Sequence, residues 1–247
     1  MPAHKSHPCF QPPSNPEAPI WQYLDFTKYV SFLEYEGLFF SRADRLGDPY
    51  EGVSHPEGSS PQPGSAKETA NPRAAFLEQK ERLVKWMTQW TYVNSWHICE
   101  HESAAFWKLY GHTAETVALR STYTRLQNCL PENAQAGVVQ YIDYKREWQP
   151  EGNAFWPFVH KRKSFQHERE LRALVQDLPF NGGELEIGKQ NQESGKTVPV
   201  NLRKLVERVY VSPAAPPWFV QLVGNVTERY GFAFAVQQSG LVKDPVY

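Results

Sequence analysis

Only three cysteines occur in 247 residues, Cys9, Cys99 and Cys129, widely spaced and without a CxxC pair. That scarcity excludes a disulfide framework and a cysteine-based zinc site, and it fits a reducing compartment. No apolar run approaches membrane-spanning length, and the Pro-rich start has no continuous apolar stretch of the signal-peptide kind. The chain is therefore expected in the cytoplasm, with no membrane partner. Neither sign of charge is in excess: 26 Lys and Arg against 27 Asp and Glu leave a formal net charge of -1, so any nucleic-acid binding must be local rather than the property of a strongly basic domain. Neither GxGxxG nor GxxxxGKS/T is present, and Gly111 and Gly182-Gly183 stand apart. A Rossmann enzyme and a P-loop ATPase are thereby excluded.

What is abundant is aromatic surface. Aromatic residues make up 14% of the chain, with eight Trp, which implies aromatic-rich packing or a stacking surface. Residues 1–18 are Pro-rich and polar and read as a loosely held arm; residues 19–247 read as one domain. Residues 52–72 are crowded with Gly, Pro and Ser and read as a long exposed loop.

Periodicity predicts strands at 20–23, 38–40, 92–96, 116–119, 137–142, 171–175, 184–187, 197–200, 209–211 and 232–236. Helices are predicted after an Asp25 N-cap, at 73–90, 102–110 and 122–130, and from Pro217 to Tyr230. Runs of short strands with occasional helices predict an α+β fold, a mixed, mainly antiparallel sheet with flanking helices.

Three segments concentrate chemistry. Ser41 to Gly52 follows a strand and carries five charges around a Gly47-Asp48-Pro49 turn, which can aim Arg42, Asp48 and Glu51 at one mouth or leave them on a solvated turn. Ser95 to Tyr110 is a strand, a polar turn and a helix start. Glu102 and Ser103 are expected in the first helical turn, where free amides and the dipole favour an anion. Trp96 and Trp107 in this segment are candidates for stacking, although Trp107 and Tyr110 fall at the i, i+3 spacing of core residues. His97, His101 and Glu102 lack HExxH spacing, so no metal is expected.

Lys161 to Arg172 is the one concentrated basic stretch, with Lys163 available to a phosphate. As a strand it places Glu168, Glu170 and Arg172 on one face, suited either to acid/base work or to a salt-bridge ladder. Arg120, following the strand Val117-Ala118-Leu119, can hold a phosphate or cap a carboxylate.

Together, residues 21–24 (Trp-Gln-Tyr-Leu), Gly37 to Gly52, Ser95-Trp96 with Glu102 to Tyr110, and Lys163 to Ala173 resemble the family called domain of unknown function 2971, over residues 20 to about 240. That resemblance implies no particular activity. The order strand, helix, Gly-Leu, strand, with a Glu-bearing strand late in the chain, is more distantly similar to ADP-ribosyltransferase-like toxins. This second resemblance implies NAD as co-substrate, a nucleic-acid or protein target and a toxin or phage-defence role, with a first-strand Arg or His on the NAD phosphate or ribose and a late Glu on the nicotinamide ribose. Gln22 and Tyr23 stand on the first strand instead, so the cation's part falls to Arg42 or Arg120. Glu170 is the preferred carboxylate, with Glu168 and then Glu102 behind it. The competing expectations are a metal-independent ribonuclease using His97, His101 or His167, and a non-enzymatic nucleic-acid or partner-binding module.

Overall fold

A computed structural model describes residues 7–52, 72–110, 114–144, 146, 147, 150 and 152–242. The chain opens with β1 (Pro19–Asp25), α1 (Phe26–Glu34) and β2 (Gly37–Arg42). Next come α2 (Pro72–Met87), β3 (Thr91–Ile98), α3 (Ala104–Tyr110), β4 (Thr116–Thr122) and α4 (Tyr123–Cys129). The middle holds β5 (Ala134–Val138), β6 (Gln140–Ile142), β7 (His160–Arg162) and β8 (Glu170–Gln176). The hairpin β9 (Phe180–Asn181) and β10 (Glu184–Leu185) is followed by β11 (Gly195–Pro199), α5 (Leu202–Leu205), β12 (Arg208–Val211), α6 (Pro217–Arg229) and β13 (Val236–Gln238).

Nine strands of the described residues form one sheet, antiparallel except where β12 meets β13. The expected α+β fold with a mainly antiparallel sheet is what the chain adopts. One edge of β3 is fully occupied by β8, from Thr91↔Gln176 to His97↔Glu170. The other edge is shared: β2 takes Tyr92 and Val93, and β1 takes His97 and Ile98. Between them, Asn94 to Trp96 have no strand partner on that side, and the sheet forks.

Exposed backbone acceptors inside a fork are costly unless paired. Two amide side chains meet the need: Gln22 Nε2 donates to the Ser95 carbonyl at 3.2 Å, and Asn94 Nδ2 donates to the Phe39 carbonyl at 2.9 Å. Asn94 also accepts from Trp96 Nε1 at 2.7 Å.

The strands alternate as pleated strands must. Tyr92, Trp96, Leu171, Ala173 and Val175 face a large core beneath α1, α5 and α6, where the Tyr29 and Thr227 hydroxyls meet at 2.7 Å. Val93 and Leu174 face the opposite side and pack with Cys9, Phe10, Ala43, Phe158 and Val159. The helix signals work locally as expected, Asp25 accepting from the Lys28 amide and Pro217 opening α6.

Four expectations need correcting. The Pro-rich arm is anchored rather than loose at Cys9, Phe10 and Pro13, which are buried, and the Val138 N–H donates to the Gln11 carbonyl. Gly137 permits this, since a Cβ there would lie 2.7 Å from the Phe10 Cα. Glu102 and Ser103 precede α3 instead of forming its first turn, because Ser103 Oγ accepts the Phe106 amide as a cap. The last strand begins at Val236, not Phe232, whose ring is buried in the main core and stacks on Phe234. The strand expected at 184–187 is the short β10, limited by exposure on both sides of its hairpin. The loop expected at 52–72 lies, for residues 53–71, outside the described residues.

Asn94→Ala removes the donor to Phe39 and the acceptor of Trp96 in a buried setting. We expect a loss of about 1–3 kcal/mol in urea unfolding, against little change for Gln190→Ala on the exposed surface.

Candidate functional site

The fork opens into a cleft of about 870 Å³, within the ~300–1,000 Å³ typical of small-molecule sites. Its walls come from β1, β2 and β3, from Lys28 and Ser31 on α1, from Phe106 and Tyr110 on α3, and from the 46–51 turn. Its floor is a group of ionised side chains at the start of β8 and the end of the 160–168 segment.

Glu170 is the centre of that group. Arg172 Nε donates to its Oε1 at 2.7 Å and Arg172 Nη2 to its Oε2 at 3.0 Å. Ser95 Oγ donates to Oε1 at 2.6 Å, and Lys161 Nζ to Oε2 at 3.2 Å. Burial pushes the Glu170 carboxyl up, but the Arg172 guanidinium, Lys161 and the Ser95 hydroxyl outweigh it and hold the acid down to about 2. Glu170 is thus an ionised carboxylate at neutral pH, and its backbone N–H is fixed by a 2.8 Å bond to the Tyr141 hydroxyl.

Lys161 lies among three carboxylates: Glu168 at 2.5 Å, Glu170 at 3.2 Å and Glu51 at 3.6 Å. Burial works against its ammonium, yet Glu170 and the other acids keep it protonated well above the ordinary lysine range. The strand expected to carry Glu168, Glu170 and Arg172 on one face does not extend to Glu168: Lys163–Glu168 form a 3-10 turn and Arg169, at φ 41, is left-handed, so Glu168 reaches Lys161 from outside β8. For a non-glycine residue the left-handed conformation is a strained turn, held here by the surrounding contacts.

His97 forms part of the wall. Its Nδ1 donates to the Glu168 carbonyl at 2.5 Å, and its ring stacks on Phe106 with centroids 3.9 Å apart. Burial depresses its basicity, opposed by that carbonyl, with Arg169 and His167 adding to the depression. Phe106 in turn stacks on Tyr110 at 5.3 Å, and Tyr110 presents a half-exposed ring to the cleft.

Of the residues singled out from the sequence, Asp48, Glu51, Glu168, Glu170 and Arg172 meet here. Asp48 forms a two-point ion pair with Arg162, whose guanidinium covers the Tyr50 ring at 4.5 Å. Arg172 faces carboxylates rather than open cleft, since all five of its N–H groups are taken by Glu51, Glu170 and the Phe158 carbonyl.

Arg42, Glu102, Ser103, Trp107, Arg120 and Lys163 are engaged elsewhere. Arg42 is buried, pairs with Asp44 and donates to the carbonyls of Asn191 and Glu193, so it anchors the 177–194 excursion. Glu102 accepts from Trp107 Nε1 and the Gly240 amide, and therefore does not join Glu51 and Glu170 in one site. Ser103 caps α3 and donates its N–H to the Tyr23 hydroxyl. Trp107 is buried edge-on to Tyr23 at 4.9 Å, as its helical spacing implied, whereas Trp96 belongs to the main core and also lines the cleft. Arg120 lies 3.7 Å from Glu207 and over the Trp21 ring, and Lys163 pairs with Glu147 on the surface. Sequence reasoning missed Ser95 and Lys161 as site residues. The strand alternation that put His97 on the cleft face also puts Ser95 there, whereas Lys161 read as one cation in a basic strip.

The acid response of the fold follows from two kinds of group. The His97 and His160 imidazoles titrate below 6.5, mainly through burial, so folding releases their protons and stability falls as pH drops below 6.5. Glu170, at about 2 against an ordinary 4.5, adds a second loss that develops below about 4.5. We expect urea midpoints to decline from pH 7 to 5, and His160→Gln to flatten that first limb while leaving the second.

Comparisons with known proteins add little at this distance. No protein-family model matches the sequence, so the resemblance to domain of unknown function 2971 is unconfirmed, and no curated protein matches either. Among solved structures, Thermus sp. 2.9 DarT in complex with NAD+ aligns at TM-score 0.44 and 8% identity, over 93% of this chain and 99% of that one. The same protein in complex with carba-NAD+ aligns at TM-score 0.39 and 8% identity, over 91% and 96%. A likeness that faint carries no ligand or activity across, and the cleft stands on its own residues.

Proposed function

We propose that the protein is an NAD-using, ADP-ribosyltransferase-like enzyme whose working carboxylate is Glu170, acting on a nucleic-acid or protein target. The observation that carries this reading is a carboxylate held by four hydrogen bonds from Arg172, Ser95 and Lys161 in a cleft of about 870 Å³ whose lining includes Phe106 and Tyr110. NAD would supply a glycosidic bond whose cleavage places positive charge on the ribose. A carboxylate fixed beforehand stabilises charge that develops beside it, with no reorganisation at the moment of reaction.

Ser95, Arg172 and Lys161 keep Glu170 deprotonated and aimed, and the Phe106–Tyr110 stack offers a flat face to a planar ring. Three cations line the cleft among the described residues: Lys28, Lys161 and Arg172. Lys161 and Arg172 are committed to carboxylates, while Lys28 has only a solvent-exposed pair with Asp25 at 2.9 Å. Lys28 is therefore the cation a diphosphate meets at the rim.

The ribonuclease reading draws less support. The Lys161–Lys163 strip is paired with Glu168, Glu170, Asp48 and Glu147, and His97 has one ring nitrogen tied to a carbonyl. The non-enzymatic alternative gives no role to the concave cleft that the Glu170 network lines.

The test is nicotinamide release from NAD by purified protein, with and without nucleic-acid and protein fractions as acceptor. Glu170→Gln is expected to lower turnover about 100-fold or more, with folding confirmed by circular dichroism. Lys28→Glu is expected to raise the KM for NAD about threefold and leave kcat alone. Wild-type protein that consumes no NAD but degrades RNA would establish the ribonuclease instead.

A further inference from the structure

We infer that Glu51 is a positioning residue that aims Glu170 through Arg172, without touching a ligand itself; the inference rests on the reading in which Glu170 is the working carboxylate. An arginine has five N–H donors in one plane, and a carboxylate that accepts two of them in parallel fixes the plane. On Arg172, Glu51 takes one edge of the fork, Oε1 accepting from Nη2 at 2.6 Å and Oε2 from Nη1 at 2.7 Å. Glu170 takes the adjacent edge, through Nε and the second Nη2 hydrogen, and the Phe158 carbonyl takes the fifth donor at 2.9 Å. The plane set by Glu51 thus determines where the Glu170 oxygens lie. Water cannot substitute, since the side chains of Arg172 and Glu51 are 1% and 4% exposed.

Glu51 can do this because its turn is itself held. The Glu51 amide donates to the Asp48 carbonyl at 2.9 Å, and the Gly52 amide donates to the Pro157 carbonyl at 3.3 Å. The Asp48 carboxylate binds Arg162 on β7. Gly52 sits at φ +75, and a Cβ there would lie 2.6 Å from Thr88 Cγ2 and 3.2 Å from the Phe158 ring, so the turn closes tightly on the element that carries the Phe158 carbonyl. Every group orienting Arg172 from outside the β8 strand is therefore rigidly supplied. Lys161, 3.6 Å from Glu51, completes the arrangement by sharing its charge between Glu51 and Glu170.

Replacing Glu51 by Gln presents an amide NH2 to a guanidinium donor, which breaks one of the two parallel bonds and frees the Arg172 plane. Asp is one methylene too short to keep both.

The experiment measures NAD turnover by wild type, Glu51→Gln, Glu51→Asp and Glu170→Gln, each normalised to the folded fraction by circular dichroism at the assay temperature. A crystal structure of Glu51→Asp accompanies it. We expect both Glu51 variants to lose at least tenfold in kcat with the KM for NAD within twofold of wild type, and the Glu170 carboxylate to rotate relative to Arg172 in the crystal. Loss in KM alone would make Glu51 a ligand contact and overturn the inference, as would unchanged kcat alongside an inactive Glu170→Gln. An undisplaced Glu170 in the Glu51→Asp crystal overturns it independently of activity. Full turnover by Glu170→Gln would overturn the underlying reading, and the crystal result would still decide whether Glu51 sets the carboxylate's position.

Discussion

One edge of β3 is asked to serve two strands, and the architecture of the cleft follows from that. A strand edge has one row of donors and acceptors, so β1 and β2 can both pair with it only by dividing its length. Once they divide it, they must diverge, and the three residues between them open a gap lined by backbone. Gln22 and Asn94 turn the gap into a stable feature by satisfying the carbonyls of Ser95 and Phe39. The gap is where the cleft forms, and β8, undivided along the opposite edge of β3, delivers Glu170 and Arg172 beside Ser95 and His97.

Placing Glu51, Glu168 and Glu170 around Lys161 and Arg172 with little solvent exposure is an arrangement that packing alone would not favour. Buried ion pairs rarely improve on well-packed apolar residues for stability, because desolvation offsets the attraction. What the network does is hold the Glu170 carboxylate in its ionised form, with four hydrogen bonds from Arg172, Ser95 and Lys161 fixing its orientation. The strained Arg169 conformation has the same location and the same consequence: it lets two glutamates two residues apart reach one lysine.

Much of the local structure was legible. Asp25 as a cap, Pro217 as a helix start, and the alternation through 92–97 and 170–175 are near-neighbour effects, set by backbone geometry and side chains within a few residues. Trp107 as a packing residue was legible for the same reason, since i, i+3 spacing fixes which side of a helix a ring occupies. Misreadings arose where a distant partner decided. Phe232 has the look of a strand residue, but its ring is claimed by the core under α6. Cys9 and Phe10 sit in a Pro-rich stretch that looks loose, yet the bare backbone of Gly137 receives them.

The sequence by itself determined the residue types at the site and their grouping into three motifs, together with the α+β class, because strand and helix periods and turn chemistry are written within short windows. Only the tertiary structure decided which charges meet. Arg42 and Glu102 have the same side-chain chemistry as Arg172 and Glu170, but long-range pairing sends Arg42 to the carbonyls of Asn191 and Glu193, and Glu102 to the Gly240 amide. Arg172 and Glu51, 121 positions apart, meet because β8 runs beside β3 and the 48–52 turn closes over them. Coulomb attraction is selective only at contact distance, and contact distance is set by the sheet.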